Sequence, residues 1–170
     1  MLTKVFIKKR TMKTKTLLFT AIVSIAFISS AQAQNVNIPD ANFKAALVAN
    51  ASVNTNMDAE IQVSEASVFN GAINVSGLGI SDLTGIEAFT VLTNLACSWN
   101  QLTSVNVSAN TALTNLDCSG NFTLPSLNVT ANTALTVLNC YYTQLTSLNI
   151  SANTALTNLN CSYNQNQLTS

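Results

Sequence analysis

Four cysteines, at positions 97, 118, 140 and 161, recur at intervals of 21, 22 and 21 residues, each inside a near-copy of one line. The copies are Leu92-Thr-Asn-Leu95-Ala-Cys97-Ser-Trp-Asn100-Gln-Leu102, Leu113-Thr-Asn-Leu116-Asp-Cys118-Ser-Gly-Asn121, Leu135-Thr-Val-Leu138-Asn-Cys140-Tyr-Tyr-Thr143-Gln-Leu145 and Leu156-Thr-Asn-Leu159-Asn-Cys161-Ser-Tyr-Asn164. A cysteine-free copy, Ile73-Asn-Val75-Ser-Gly-Leu78-Gly-Ile80-Ser-Asp-Leu83, precedes them. In an extended x-Leu-x-Cys-x line alternate side chains face opposite ways. Leu95 and Cys97 therefore turn inward, and Asn94, Ala96 and Ser98 outward. One such strand cannot bury its apolar face alone, but stacked copies share a continuous core. Leu102, Val105, Val107 and Leu113 are expected to wall one coil, and Leu124, Leu127, Val129 and Leu135 the next. The link Val-Ser-Ala-Asn-Thr-Ala is too short and polar for a long helix, so a single helical or 3₁₀ turn is expected there.

These lines match L-x-x-L-x-L-x-x-N-x-L with cysteine in the third apolar slot, over roughly residues 72–170. The stretch resembles the exported bacterial leucine-rich repeat proteins that carry short, internalin-like repeats. The resemblance implies an α/β repeat solenoid, a right-handed superhelix with a parallel β-sheet on its concave face and little helix in the repeats. Asn100, Asn121 and Asn164 hold the family's asparagine position, where an amide satisfies backbone groups at the turn after the strand. Thr143 departs from it, and insertions near Phe122 and Gln165-Asn166 lengthen two turns, so those coils are expected to be looser.

Exported cysteines invite a disulfide or metal reading, and the ladder geometry weighs against both. Rungs about 4.8 Å apart put four cysteines on a line about 14 Å long. Zinc wants four sulfurs about 2.3 Å from one point, and a disulfide wants Cβ atoms near 3.8 Å apart. Buried thiols acting as small apolar side chains are the expected outcome.

The formal net charge is zero, but the signs are segregated. Lys4, Lys8, Lys9, Arg10, Lys13 and Lys15 crowd the start, before the apolar run Leu17–Ile28 and Ala31-Gln32-Ala33. That order reads as a secretory signal peptide over residues 1–33, with Met12 an alternative start. The run is shorter than the roughly 20 residues a spanning helix needs, so no membrane span is expected in the mature chain. After Ala33 one lysine, Lys44, faces seven acidic residues, a net of −6. That balance excludes a nucleic-acid binder and a partner of anionic lipid. Without histidine there is no histidine-based triad, general base or zinc site.

Residues 34–70 do not repeat, and a solenoid needs its open end covered, so a small helical N-terminal cap is expected. Residues 38–48 read as a helix with Pro39 in its first turn and Phe43, Ala46 and Leu47 on one face. A second helix is expected around Ala66–Phe69. Between them, residues 54–65 resemble an EF-hand loop: Asn54, Asn56 and Asp58 at positions one, three and five, Glu60 offering a backbone carbonyl, and Glu65 at twelve. Asn54 replaces the usual first aspartate and Ala59 the turn glycine. The loop is therefore either a weakened calcium site or a structural link between cap helices; no other cofactor is indicated.

Outward residues on successive strands, Asn94, Ser98, Asn115, Asp117, Asn139, Asn158 and Asn160, make an almost uncharged surface, with Trp99, Tyr141, Tyr142 and Tyr163 along one edge. Aromatics among adaptable polar groups suit recognition of an extracellular protein or glycan, and the resemblance implies binding on the concave face. Leading expectation: a secreted or cell-surface bacterial binding module without catalysis. Alternatively, the rows Thr93/Thr114/Thr136/Thr157 and Thr111/Thr133/Thr154 could match ice or another periodic surface. Catalysis lacks convergent titratable groups, since Asp117 is the sole carboxylate in the cysteine-bearing repeats. Gln167-Leu168-Thr169-Ser170 stops inside a repeat without a polar cap. The chain therefore reads as the N-terminal part of a longer protein, continuing into more repeats and a C-terminal sorting domain.

Overall fold

The computed structural model describes residues 34–164. The signal-peptide reading of residues 1–33 and the expectations for residues 165–170 lie outside the described residues. Five three-residue strands, β1 (Ala72–Asn74), β2 (Asn94–Ala96), β3 (Asn115–Asp117), β4 (Val137–Asn139) and β5 (Asn158–Asn160), form one parallel sheet in chain order. Their register puts Ile73, Leu95, Leu116, Leu138 and Leu159 level with one another. The ladder runs on past the strands. Cys97 and Trp99 N–H donate to Asp117 and Ser119 carbonyls at 2.8 Å, and Cys118 and Gly120 N–H to those of Asn139 and Tyr141 at 2.9 Å. This continuation stacks the cysteines: Cys97, Cys118 and Cys140 are buried, Cys161 is half-buried, and all four are free thiols. Val75 fills the same slot in the first coil, its N–H on Ala96 O at 2.8 Å.

All eight wall residues expected from the repeat, Leu102 to Leu135, are buried. The polar links form tight turns closed three residues back, such as Asn110 N–H to Val107 O at 3.0 Å and Leu113 N–H to Asn110 O at 3.1 Å. Asn110, Asn132 and Asn153 in these links are wholly or almost wholly buried. Each donates both amide hydrogens inward: Asn132 to Val107 O and Asn110 O, and Asn153 to Val129 O and Asn132 O, at 2.8–2.9 Å. This second asparagine column, which the sequence reading did not anticipate, fastens the corners of the coils opposite the family asparagines.

The cap is helical, with shifted boundaries. Helix α1 spans Ala41–Val48 and buries Phe43 and Leu47. Asp40, not Pro39, marks its start, because Asp40 Oδ1 accepts the free N–H groups of Asn42 and Phe43 at 3.0 Å. Its Oδ2 accepts from Ser81 N–H and Oγ–H and from Asp82 N–H, tying the cap to the first coil. Burial pushes the Asp40 carboxyl upward, but these bonds together outweigh it and hold it below its ordinary value. Helix α2 is a single turn, Val63–Ala66, earlier than expected because Glu65 reaches back to Gln62 N–H at 3.0 Å and closes its first turn. A 3₁₀ turn at Ile86–Ala88 begins at Gly85, whose φ of 106° and tight seat against Ile38 and Asn37 O exclude a side chain. Among the described residues no helix is long and apolar enough to cross a membrane.

Candidate recognition face

The strands are short because the chain turns sharply two residues past each cysteine-side rung. At that point the backbone enters the left-handed region in every coil: Gly77 (φ 69°), Trp99 (55°), Gly120 (67°), Tyr142 (50°) and Tyr163 (57°). Glycine adopts this conformation freely, whereas a bulky aromatic does so at a cost of about 1–3 kcal/mol. Packing does not explain the aromatics, since Trp99, Tyr142 and Tyr163 remain 49%, 40% and 68% exposed. A Cβ on Gly120 would stand 2.7–2.8 Å from the Trp99 ring, so glycine there lets the indole lie across the next coil.

The rings form one cluster. Trp99 meets Phe122, Tyr141 and Tyr142 with centroids 5.8–6.4 Å apart, mostly edge-to-face. Tyr142 stacks on Tyr163 at 4.6 Å with an interplanar angle of 12°. Phe122 was read from the sequence as a loosening insertion; the extra residue is instead extruded, half-exposed, against Trp99 and Tyr142. The coil containing Thr143 also closes, with Thr143 buried and its Oγ1 within hydrogen-bonding reach of Cys140 O and Asn164 Oδ1.

The other candidates separate. Asn115 and Asn158 stand on the solvent face of the sheet, and Asn94 receives a weak 3.4 Å contact from Thr114 Oγ1. Asp117 and Asn160 each hold a turn, their Oδ1 accepting from N–H and Oγ–H of Ser119 and Ser162. In the intervening coil Tyr141 replaces that serine, and the buried Asn139 Oδ1 accepts nothing. Ser98 is a correction. It is buried and its hydroxyl donates to Ser76 Oγ at 3.0 Å, because strict in–out alternation ends with the three-residue strand. The three buried thiols are held in the protonated form: burial, aided by Asp117, pushes Cys97 up to about 12, burial, aided by Cys161 and Asp117, does the same to Cys140, and burial raises Cys118 well above its ordinary value.

The loop at 54–65 does not fit calcium. Glu65 Oε1 accepts from Thr55 N–H, Thr55 Oγ1–H and Asn56 N–H at 2.8–3.2 Å, and its Oε2 from Gln62. Burial raises this carboxyl, but the bonds prevail and hold it below its ordinary value. Asp58 is occupied by Glu60 N–H and the amides of Asn56 and Gln62, while Glu60 pairs with Lys44 at 2.6 Å. Asn54 donates to Val48 O and Asp58 O, and its buried Oδ1 accepts nothing. Calcium takes six to eight oxygens, and among the described residues no three His, Cys, Asp or Glu side chains are grouped to hold a metal. Millimolar calcium is therefore expected to leave the melting temperature unchanged; a saturable rise in calorimetry would contradict this assignment.

No protein-family model matches the chain, and no curated protein matches it. Among solved structures, the functional domain of InlJ from Listeria monocytogenes, described as including a cysteine ladder, is similar at 31% identity and a TM-score of 0.58, over 84% of this chain and 36% of that one. Internalin C2 of the same species is similar at 22% identity and TM-score 0.60, over 75% of this chain and 57% of its own. A third, InlF, shares 21% identity with TM-score 0.54, over 79% and 47%. The chain thus spans about a third to somewhat over half of these neighbours. Parallel rungs in register, coils of 21 or 22 residues and a column of buried thiols make this an internalin-like leucine-rich repeat solenoid.

Proposed function

We propose that the protein is a non-catalytic recognition module, secreted or held at a bacterial cell surface, that binds an extracellular protein or glycan on the concave face of its sheet and the aromatic row beside it. The observation that carries this reading is the five-ring cluster, three of whose rings, Trp99, Tyr142 and Tyr163, are exposed on left-handed backbone. Rings fixed in place lose little freedom on binding, and Trp and Tyr dominate the energetics of recognition surfaces. The likeness to internalin repeats supports a binding module, and the leader-like residues 1–33 support export. Catalysis is disfavoured because Asp117 is committed to Ser119 and the buried thiols stay protonated. Adsorption through the row at Thr93, Thr114, Thr136 and Thr157 is disfavoured, since the Thr114, Thr136 and Thr157 hydroxyls each donate to a carbonyl one coil back at 3.0–3.1 Å; the row at Thr111, Thr133 and Thr154 is exposed and keeps that alternative open to a thermal-hysteresis measurement.

Trp99 is the single tryptophan of the chain, so its emission reports on this face alone. Arrays of extracellular-matrix proteins and of glycans, probed with wild type and Trp99→Gly, are expected to yield a ligand that shifts Trp99 emission and loses at least tenfold affinity in the variant, about 1.4 kcal/mol. Ligands that bind both forms equally would refute this face.

A further inference from the structure

We infer that Cys140 and Cys161 form a site for one soft divalent metal ion of linear, two-coordinate preference, mercury(II) in type, held between sulfurs on adjacent rungs. The site uses inward-facing thiols, so it stands whether or not the recognition face does.

Spacing comes first. Cys140 N–H donates to Asn160 O at 2.8 Å, continuing the β4–β5 ladder, so the two cysteines occupy neighbouring rungs about 4.8 Å apart. A disulfide would need the Cβ atoms to close to about 3.8 Å, and thiols strung in line cannot surround a tetrahedral centre. The same spacing suits a linear S–metal–S unit, since two thiolate bonds of about 2.3 Å laid end to end span about 4.6 Å. Thiolates select soft ions. Rigidity comes second. The Asn164 amide donates to Cys140 O at 3.1 Å and to Cys161 O at 2.7 Å, clamping both rungs with one side chain. Access and charge come third. Cys97, Cys118 and Cys140 are buried, whereas Cys161 is half-buried and opens the column to solvent. No lysine or arginine follows Lys44, so nothing nearby offsets a buried anion. Two thiols that bind a divalent ion release two protons and leave a neutral S–metal–S unit, whereas a monovalent ion would leave a net negative charge in the core. Burial pushes Cys140 up to about 12, and Cys161 adds to this because adjacent thiolates repel; a bridging cation removes that repulsion.

The test uses the purified, reduced full chain with one equivalent of mercuric chloride in an excess of N-acetylcysteine. Native mass spectrometry is expected to show a monomer carrying one mercury in place of two protons, with no N-acetylcysteine attached. X-ray absorption at mercury should find two sulfurs at about 2.3 Å. The two-thiol variant Cys97→Val, Cys118→Val, which keeps only the proposed pair, should bind as wild type does; Val75 already fills this slot in the first coil. Adding Cys140→Val or Cys161→Val to it should weaken retention at least tenfold. Alkylating Cys161 in the folded two-thiol variant should cause the same loss with an unchanged far-ultraviolet circular dichroism spectrum, so the result does not depend on how the further valine variants fold. Zinc(II), which wants four ligands, should not be retained. One sulfur per mercury, an N-acetylcysteine adduct of the two-thiol variant, a mercury-linked dimer, equal retention by the one-thiol variants, or uptake only with loss of the circular dichroism signal overturns the inference.

Discussion

Raising the pH is expected to unfold the protein cooperatively between about pH 9, the ordinary value of a free thiol, and about pH 12, the value of buried Cys97 and Cys140. Burial removes water from the would-be thiolates of Cys97, Cys118 and Cys140, and Cys118 is further disfavoured by its neighbours Cys97 and Cys140. Each group is an acid whose value is raised on folding, so its stabilising contribution is intact below 9. Above 9 the unfolded chain releases protons that the folded one retains, and stability falls at least until folded Cys97 and Cys140 ionise near 12. The slope is about 1.4 kcal/mol per pH unit for each thiol, or about 4 kcal/mol per unit for three in concert. A domain with about 5–15 kcal/mol in hand loses its margin within that window. Far-ultraviolet circular dichroism against pH, under reducing conditions, measures the midpoint. The triple variant Cys97→Val, Cys118→Val, Cys140→Val should move it upward by about one pH unit or more if the thiol slope governs it. Valine is the apt replacement, because Val75 already fills this slot in the first coil. Identical midpoints for the two proteins would show that the thiol column does not set alkaline stability.

The cysteine column was legible because spacing and residue type recur together, and stacking the copies turns each apolar line toward its neighbours, burying Cys97, Cys118 and Cys140 and half-burying Cys161. The corner asparagines were not. Asn110, Asn132 and Asn153 sit in polar Ser-Ala-Asn-Thr links that read as solvated turns, and only the coil above and below makes them interior. Ser98 was misplaced for a related reason: alternation was extended past the end of a strand three residues long, into the turn at Trp99. A usable signal for that turn lay in the sequence, since Gly77 and Gly120 align with Trp99, Tyr142 and Tyr163. The aromatic edge was recognised from composition, but the role of Phe122 was not, because an inserted residue carries no repeat position from which to infer where it points. In the cap, the acidic order of an EF-hand survives while its oxygens have turned to backbone N–H groups and Lys44, which no residue spacing reveals.

The two asparagine columns should differ in worth, and the hydrogen bonds say by how much. Asn121 donates to Cys97 O at 3.1 Å and Cys118 O at 2.8 Å, and its Oδ1 accepts from Leu102 N–H at 3.1 Å. Cys97 O is also served by Asn100, but Cys118 O and Leu102 N–H have Asn121 as their partner. Asn121→Ala therefore strands two buried backbone groups at about 1–3 kcal/mol apiece, and a loss of roughly 4 kcal/mol is expected. Asn132 serves Val107 O and Asn110 O, yet each of these also accepts a backbone N–H, from Asn110 and Leu113. Its own Oδ1 accepts nothing, so Asn132→Ala should cost only about 2 kcal/mol. Asn121→Thr should recover much of the larger loss, because Thr143 fills the cognate place one coil on, with its Oγ1 2.9 Å from Cys140 O. Urea unfolding of the three variants, read by Trp99 emission, orders them: Asn121→Ala least stable, then Asn132→Ala, with Asn121→Thr nearer wild type. Equal losses for the two alanine variants would mean that the stack is fastened by its turns as a whole, not by the amides that serve otherwise unpartnered carbonyls.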